Sequence, residues 1–377
     1  MTTVRRQAAI GGDWLRDGRR VVAALLIGVE GSAPLDPGAS MLIAEDGAIE
    51  GSITGGCVEG AVVDEAKEVF AGRKARTATY GISDELAGAV GLTCGGTVHI
   101  FIHELAGGAA EVERAARAAI GEGRPVAIAT MLDGEHAGAK LAIVDGEAIG
   151  TLEGPQLLDH SVARDAAGML SQGVTGTRRY GEEGAVLCAE LAVHVHSFAP
   201  PPQMLVFGAI DFSAALARIA KELGYKVTVS DPREPFIRTP RFEAASEVLV
   251  AWPEEAFGKI TLGPRDAVLV FTHDPKFDEP ALRCALASGA GYVGALGSRK
   301  TTADRNRRLL ESGVSEQALE RVHAPCGLDI GGSTPEEVAI SVLAEIIAVR
   351  SERSGTPLRE GAAAIHPRQV EDPPIPG

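Results

Sequence analysis

Basic charge, aromatic side chains and paired cysteines are what this sequence has least of. Its 377 residues carry 36 Lys and Arg against 51 Asp and Glu, a formal net charge of −15. A broadly acidic surface repels phosphate backbones, which sets nucleic acid aside as a partner. No apolar run approaches the 18 residues that a membrane-spanning helix needs, and the opening "MTTVRRQAAIGGDWLRDGRR" has no apolar signal core. The expectation is a cytoplasmic protein with no membrane contact. The five cysteines, Cys57, Cys94, Cys188, Cys284 and Cys326, are odd in number and scattered, with no CxxC pair. That pattern excludes a disulfide framework and argues against a zinc site. Aromatic residues make up only 4%.

What the chain does have is glycine, 46 residues of it, and 45% hydrophobic residues. A Gly-rich, Ala/Val-rich chain suits α/β layers joined by tight turns. At about 100–200 residues per domain, the length suggests two or three domains.

The first half repeats itself at an interval of about 100 residues. Each copy gives a strand, a loop, and a strand ending at an acidic-Gly turn, Asp46-Gly47 or Asp145-Gly146. An Ala-rich helix follows, over 59–70 in one copy and 156–170 in the other. Next come "TATYG" or "TRRYG" and a closing strand, "TVHIFIHE" or "LAVHVHSF". This predicts a duplicated β-rich α+β region over 1–198, its two units near 2–105 and 111–198. The copies differ at one place that matters. The first has "ITGGCVEG" where the second has "LEGPQLLD", and "LTCGG" has no glycine pair in its counterpart. A scaffold requirement would be met in both copies, so the difference marks Gly55, Gly56, Cys57, Cys94, Gly95 and Gly96 as candidates for a function. Gly55-Gly56 before a helix is expected to leave N–H groups facing outward, where the helix dipole favours an anion and partial thiolate character at Cys57. The plain alternative is a turn beside a small core residue.

From Met204 the pattern changes to βαβ, after a Pro-rich linker "SFAPPPQ". Strands at 204–207, 226–230, 248–251, 267–271 and 291–295 predict a Rossmann-like doubly wound parallel sheet over 203–350. Residues 351–377 read as a polar, Pro-rich disordered tail. Ligands of such sheets sit at the carboxyl ends of the strands. There the sequence places Gly208, Asp231, His273, Asp274, Ser298 and Arg299. Asp231 suits the acid of a dinucleotide fingerprint. Ile210 and Asp211 do not suit its glycine turn: one is bulky, and the other repels phosphate and is expected to cap the helix itself. NAD(P) or another nucleotide is therefore doubtful.

These motifs, in this order, resemble the XdhC/CoxI family. The likeness rests on "GSAPLDPGASMLIAEDGAIEGSITGGCVEG", "GLTCGG", "LVFGAIDFSAALARIAKELGYKVTVSDPR", "THD", "YVGALGSRKT" and "CGLDIGGSTPEEVAISVLAEI". It implies an accessory protein, not a turnover enzyme, that binds molybdenum cofactor (molybdopterin) transiently. Such a protein assists the cofactor's sulfuration and its insertion into an apo-hydroxylase of the xanthine dehydrogenase or carbon monoxide dehydrogenase type. A cysteine desulfurase and a second copy of the chain are further candidate partners. Cys57 and Cys94 would contact the cofactor or handle sulfur. The family's Gly-Ala-Gly-His stands here as Gly208, Ala209, Ile210, Asp211. The alternative from a different class is an NAD(P)- or flavin-binding Rossmann oxidoreductase.

Overall fold

The computed structural model describes residues 3–31, 33–81, 96–181 and 191–360. The chain divides after Pro200 into two compact units.

The N-terminal unit is one plan built twice. The first copy runs α1 (Thr3–Arg16), β1 (Val21–Glu30), β2 (Ser40–Ala44), β3 (Ile49–Gly51), α2 (Glu59–Phe70), β4 (Arg76–Tyr80) and β5 (Thr97–Glu104). The second runs α3 (Gly107–Glu122), β6 (Val126–Met131), β7 (Lys140–Val144), β8 (Glu147–Thr151), α4 (Gln156–Gln172), β9 (Gly176–Tyr180) and β10 (Leu191–Phe198). Each forms a five-stranded antiparallel sheet, in the orders β3-β2-β1-β5-β4 and β8-β7-β6-β10-β9. The equivalence holds bond by bond. Gly38 donates to the Leu26 carbonyl and Gly138 to that of Met131, both at 2.8 Å. His103 pairs with Ala23 and His196 with Ile128.

The side chains explain the layers. Along β1 every residue from Val21 to Ile27 is buried, so successive residues serve opposite faces. Val22, Ala24 and Leu26 pack with Val62, Ala66 and Val69 of α2. Leu25 and Ile27 on the other face meet Leu132 and Ala192 of the second copy. The second sheet packs Ala127, Ala129 and Met131 against Val162, Ala166 and Met169 of α4. Helices α1 and α3, which the sequence pattern does not announce, cover its other face through Ala8, Val112, Ala116 and Ile120.

The C-terminal unit runs β11 (Gln203–Phe207), α5 (Asp211–Glu222), β12 (Lys226–Ser230), α6 (Glu234–Ile237), β13 (Glu247–Leu249), α7 (Pro253–Phe257) and β14 (Ala267–Val270). It continues with α8 (Pro275–Ala287), β15 (Tyr292–Ala295), α9 (Arg299–Glu311), α10 (Glu316–Leu319), β16 (Val322–His323) and α11 (Pro335–Arg350). Its six strands are parallel in the order β13-β12-β11-β14-β15-β16. This is the Rossmann order, with the switch point between β11 and β14. The expected capping box starts α11, with Thr334 and Glu337 bonded reciprocally and Pro335 at the first position. Among the described residues no helix is long and apolar enough to cross a membrane.

Candidate functional site

The Gly-Gly-Cys turn lies just before α2, and one carboxylate organises it. Glu59, the first residue of α2, accepts from Ser52 Oγ at 2.7 Å and from the backbone N–H groups of Ile53 (3.1 Å) and Thr54 (2.9 Å) through Oε1. Its Oε2 accepts from Thr54 Oγ1 and Gly56 N, both at 2.9 Å, and from Val58 N at 3.2 Å. Gly55 N donates to Ser52 Oγ at 3.0 Å. The expected outward N–H groups of Gly55 and Gly56 are therefore turned inward, and the anion that the helix end attracts is the chain's own. Burial works to raise the Glu59 carboxyl, but this collar of donors brings it down to about 2. Both glycines have positive φ, 78° and 118°, and a Cβ at either would meet open space. Glycine is needed here for backbone shape, not for close approach. Cys57 is half-buried and rests against the α2 core. The second copy keeps only a reduced collar, in which Asp159 accepts from Thr151 Oγ1 and Leu152 N. Gly96 is buried just before β5. Cys94 and Gly95 lie outside the described residues.

At the carboxyl edge of the parallel sheet, Gly208, Asp231, His273, Asp274, Ser298 and Arg299 come from loops after four strands. Their chemistry is largely spent locally. Asp231 is buried, and it accepts from Ala209 N (2.8 Å), Arg233 N (2.9 Å) and the Arg233 guanidinium. Burial opposes its charge, but those donors hold its carboxyl below the ordinary range. Asp274 and Ser298 are helix N-caps, accepting from Lys276 N and Thr301 N. His273 and Arg299 are exposed. The expected capping role of Asp211 is not what forms. The cap position is Ile210, and the Asp211 carboxylate pairs with Arg241 Nη1 at 2.9 Å. Arg241 Nη2 also bonds the Ala209 carbonyl at 2.7 Å, so this ion pair lies across the turn. Ser213, at the third fingerprint position, donates to the Gly208 carbonyl at 2.5 Å.

Gly208 itself is required. Its φ is 112°, and a Cβ would stand 3.0–3.1 Å from Phe271 and Thr272. Gly208→Ala is expected to cost about 2 kcal/mol. A lowered unfolding temperature would register the loss, and an unchanged one would contradict this account of the turn. Deeper in the same edge, Asp278 bonds the Thr272 hydroxyl and faces Arg305 Nη2 at 3.4 Å. Burial pushes the Asp278 carboxyl up to about 7, against the pull of Arg305.

A third polar group, which the sequence does not announce, lies inside the N-terminal unit. Glu113 of α3 meets Arg117 Nη2 at 2.6 Å and Lys140 Nζ at 3.1 Å, and all three side chains are at most 8% exposed. Burial opposes the Glu113 charge, but Lys140 and Arg117 bring its carboxyl down to about 2. Lys140 also donates to Thr130 Oγ1 at 2.9 Å. His103 stands beside this group at 1% exposure. The matched histidines of "TVHIFIHE" and "LAVHVHSF" were the available signal: His103 and His196 hold equivalent places in the two sheets. Among the described residues no cluster of three His, Cys, Asp or Glu could hold a metal ion.

Comparison with known proteins covers both units. Residues 14–81 match the XdhC and CoxI family, and residues 204–346 match the XdhC Rossmann domain. A Bacillus subtilis protein, named as a probable subunit of xanthine dehydrogenase, is 27% identical over 338 residues, 89% of this chain and 95% of that protein. The Escherichia coli "Molybdenum cofactor insertion chaperone PaoD" is 26% identical over 336 residues, 89% of this chain and 85% of its own. A crystal structure described as a xanthine dehydrogenase from Bacillus halodurans superposes with a TM-score of 0.61 at 25% identity. The match covers 95% of this chain and 98% of that one.

Proposed function

Because the chain belongs to the XdhC and CoxI family, we propose that it is a carrier for molybdenum cofactor that assists insertion into an apo-hydroxylase. The observation that carries this reading is the end-to-end likeness to a relative named for that insertion. The client is of the xanthine dehydrogenase or carbon monoxide dehydrogenase type. Sulfuration before delivery, with a cysteine desulfurase as donor and Cys57 or Cys94 as the thiol that meets the cofactor, is the finer part of the proposal. A homodimer is part of it too.

The residues present fit one half of the group better than the other. The Gly55-Gly56 turn does not suit a phosphate, because Ser52 Oγ already takes the Gly55 N–H and Glu59 that of Gly56. It presents instead a half-buried thiol on a turn fixed by six hydrogen bonds to one carboxylate. When bound, the cofactor supplies a redox-active metal to its client. This chain's residues hold and orient it.

Reconstitution tests the reading. Cofactor-loaded protein is expected to restore an apo-hydroxylase faster than free cofactor does. If Cys57→Ala and Cys94→Ala proteins deliver as well as the parent, the thiol role is wrong.

The competing dinucleotide reading makes a different prediction. With Asp231 locked by Arg233, and the Asp211–Arg241 pair across the turn, calorimetry with NAD, NADP and FAD should give no saturable heat. Micromolar binding of any of them would restore the oxidoreductase.

A further inference from the structure

The parallel sheet of the C-terminal unit has two edge strands, and they are finished differently. At one edge β16 is only Val322–His323, and both residues are half-buried. At the other edge β13 leads into the run "EVLVAWP", whose burial alternates. Leu249 and Ala251 are buried and pack with Leu205 and Val268. Val248, Val250 and Trp252 are 38%, 38% and 44% exposed and share the other face. The Trp252 ring is held 4.8 Å from that of Phe277.

The backbone alternates with the side chains. The Leu249 carbonyl accepts from Asp231 N, and the Ala251 carbonyl accepts from Ser230 Oγ, both on the β12 side. The N–H and C=O groups of Val248 and Val250 therefore point to the free side. Free strand edges are ordinarily blunted by charge, by proline or by a covering element. Here apolar side chains and outward backbone groups lie open together, which is the template for an added strand.

The charges decide what kind of strand fits. From Phe242 to Gly258 the chain carries Glu243, Glu247, Glu254 and Glu255 and no basic residue. All four are exposed, and among the described residues none of them forms an ion pair. A second copy does not suit this edge. Antiparallel pairing of β13 with itself about Leu249 would bring Glu243 and Glu247 of each copy toward Glu254 and Glu255 of the other, and like charges across a strand pair destabilise it. The carboxylates that keep two copies apart attract a basic segment.

We infer that the β13 edge takes up an extended segment of another protein, with apolar side chains at alternate positions and Lys or Arg at its ends. Val248 and Val250 hold its backbone, Val250 and Trp252 cover its apolar face, and the four carboxylates select its charge. This edge works independently of whatever the N-terminal unit carries.

Fluorescence polarisation on the full chain tests this, with fluorescein-labelled Lys-Lys-Val-Thr-Val-Thr-Val-Lys-Lys as the probe. The probe is expected to bind saturably. Val250→Lys changes an exposed side chain and leaves the core alone; with its fold checked by circular dichroism, it is expected to weaken the probe about tenfold or more. N-methylation throughout the Val-Thr core removes the probe's main-chain donors and none of its charge, and is expected to weaken binding as much. No polarisation change, or equal binding by parent and Val250→Lys, overturns the inference. Equal binding of the N-methylated probe overturns it too, because attraction of charge alone would then suffice. Sedimentation of the parent without peptide covers the remaining case. Self-association that Val250→Lys abolishes would make a second copy the occupant, against the inference.

Discussion

Glu113→Ala should destabilise the N-terminal unit severely, by on the order of 3–5 kcal/mol. The Glu113 side chain is 5% exposed, and it is the only counter-charge in contact with Arg117 (8%) and Lys140 (4%) among the described residues. Removing it leaves two buried cations with only neutral acceptors, the Thr130 hydroxyl and the Gln7 carbonyl, and no counter-charge. The first copy shows that the fold does not need this charge. At the equivalent places α1 and β2 carry Ala8, Gly12 and Ser40. Gly11 instead makes room for the neighbours: a Cβ there would stand 2.4 Å from Leu42 Cδ1 and 3.0 Å from Arg117 Nη1. Hence a second expectation separates charge from packing. Adding Arg117→Met and Lys140→Met to Glu113→Ala should recover most of the loss, because no charge then remains buried. Urea unfolding followed by circular dichroism reads both. A single variant as stable as the parent would contradict the burial argument, and so would a triple variant no better than the single.

Glu59→Ala should release the Gly-Gly-Cys turn and cost about 2 kcal/mol, a figure reduced because the group is only partly buried. Six donors converge on this carboxylate. Its pH signature has a definite sign. The folded carboxyl, at about 2, lies below its ordinary 4.5. Its contribution is fully present above about pH 5 and is lost as pH falls through the window from 4.5 to 2. Glu59→Gln should flatten the stability curve in that window and leave the slope near neutrality unchanged. Identical acid limbs for parent and variant would show that the collar is not holding the turn.

Much of the fold was legible because its signals are local. Asp145 and Gly146 both take positive φ, as a tight hairpin turn asks, and α2 spans Glu59–Phe70 as its pattern suggests. Sheet order and the two packed helices were not legible. Helix α1 has two adjacent glycines, and neither α2 nor α3 has a side-chain cap. Helices α1 and α3 are held by contact with each other and with the sheets, which no local pattern announces. The candidate site divides the same way. The glycines of "GGCVEG" stood out, but the role of Glu59 did not, although an acid three residues after Gly56 is the spacing of a capping carboxylate. At the Rossmann edge the misfit of Ile210 and Asp211 was visible, whereas Arg233 and Arg241, which take up the two aspartates, needed the fold. His103 and Lys140 become neighbours only when the two copies close on each other.

The most direct test of the carrier account is what the protein holds when purified. Produced in a host that makes molybdenum cofactor, the chain should come away with molybdenum and with a pterin that fluoresces after oxidation, both in proportion to protein. Protein that carries neither, from cells in which the cofactor is abundant, would contradict it.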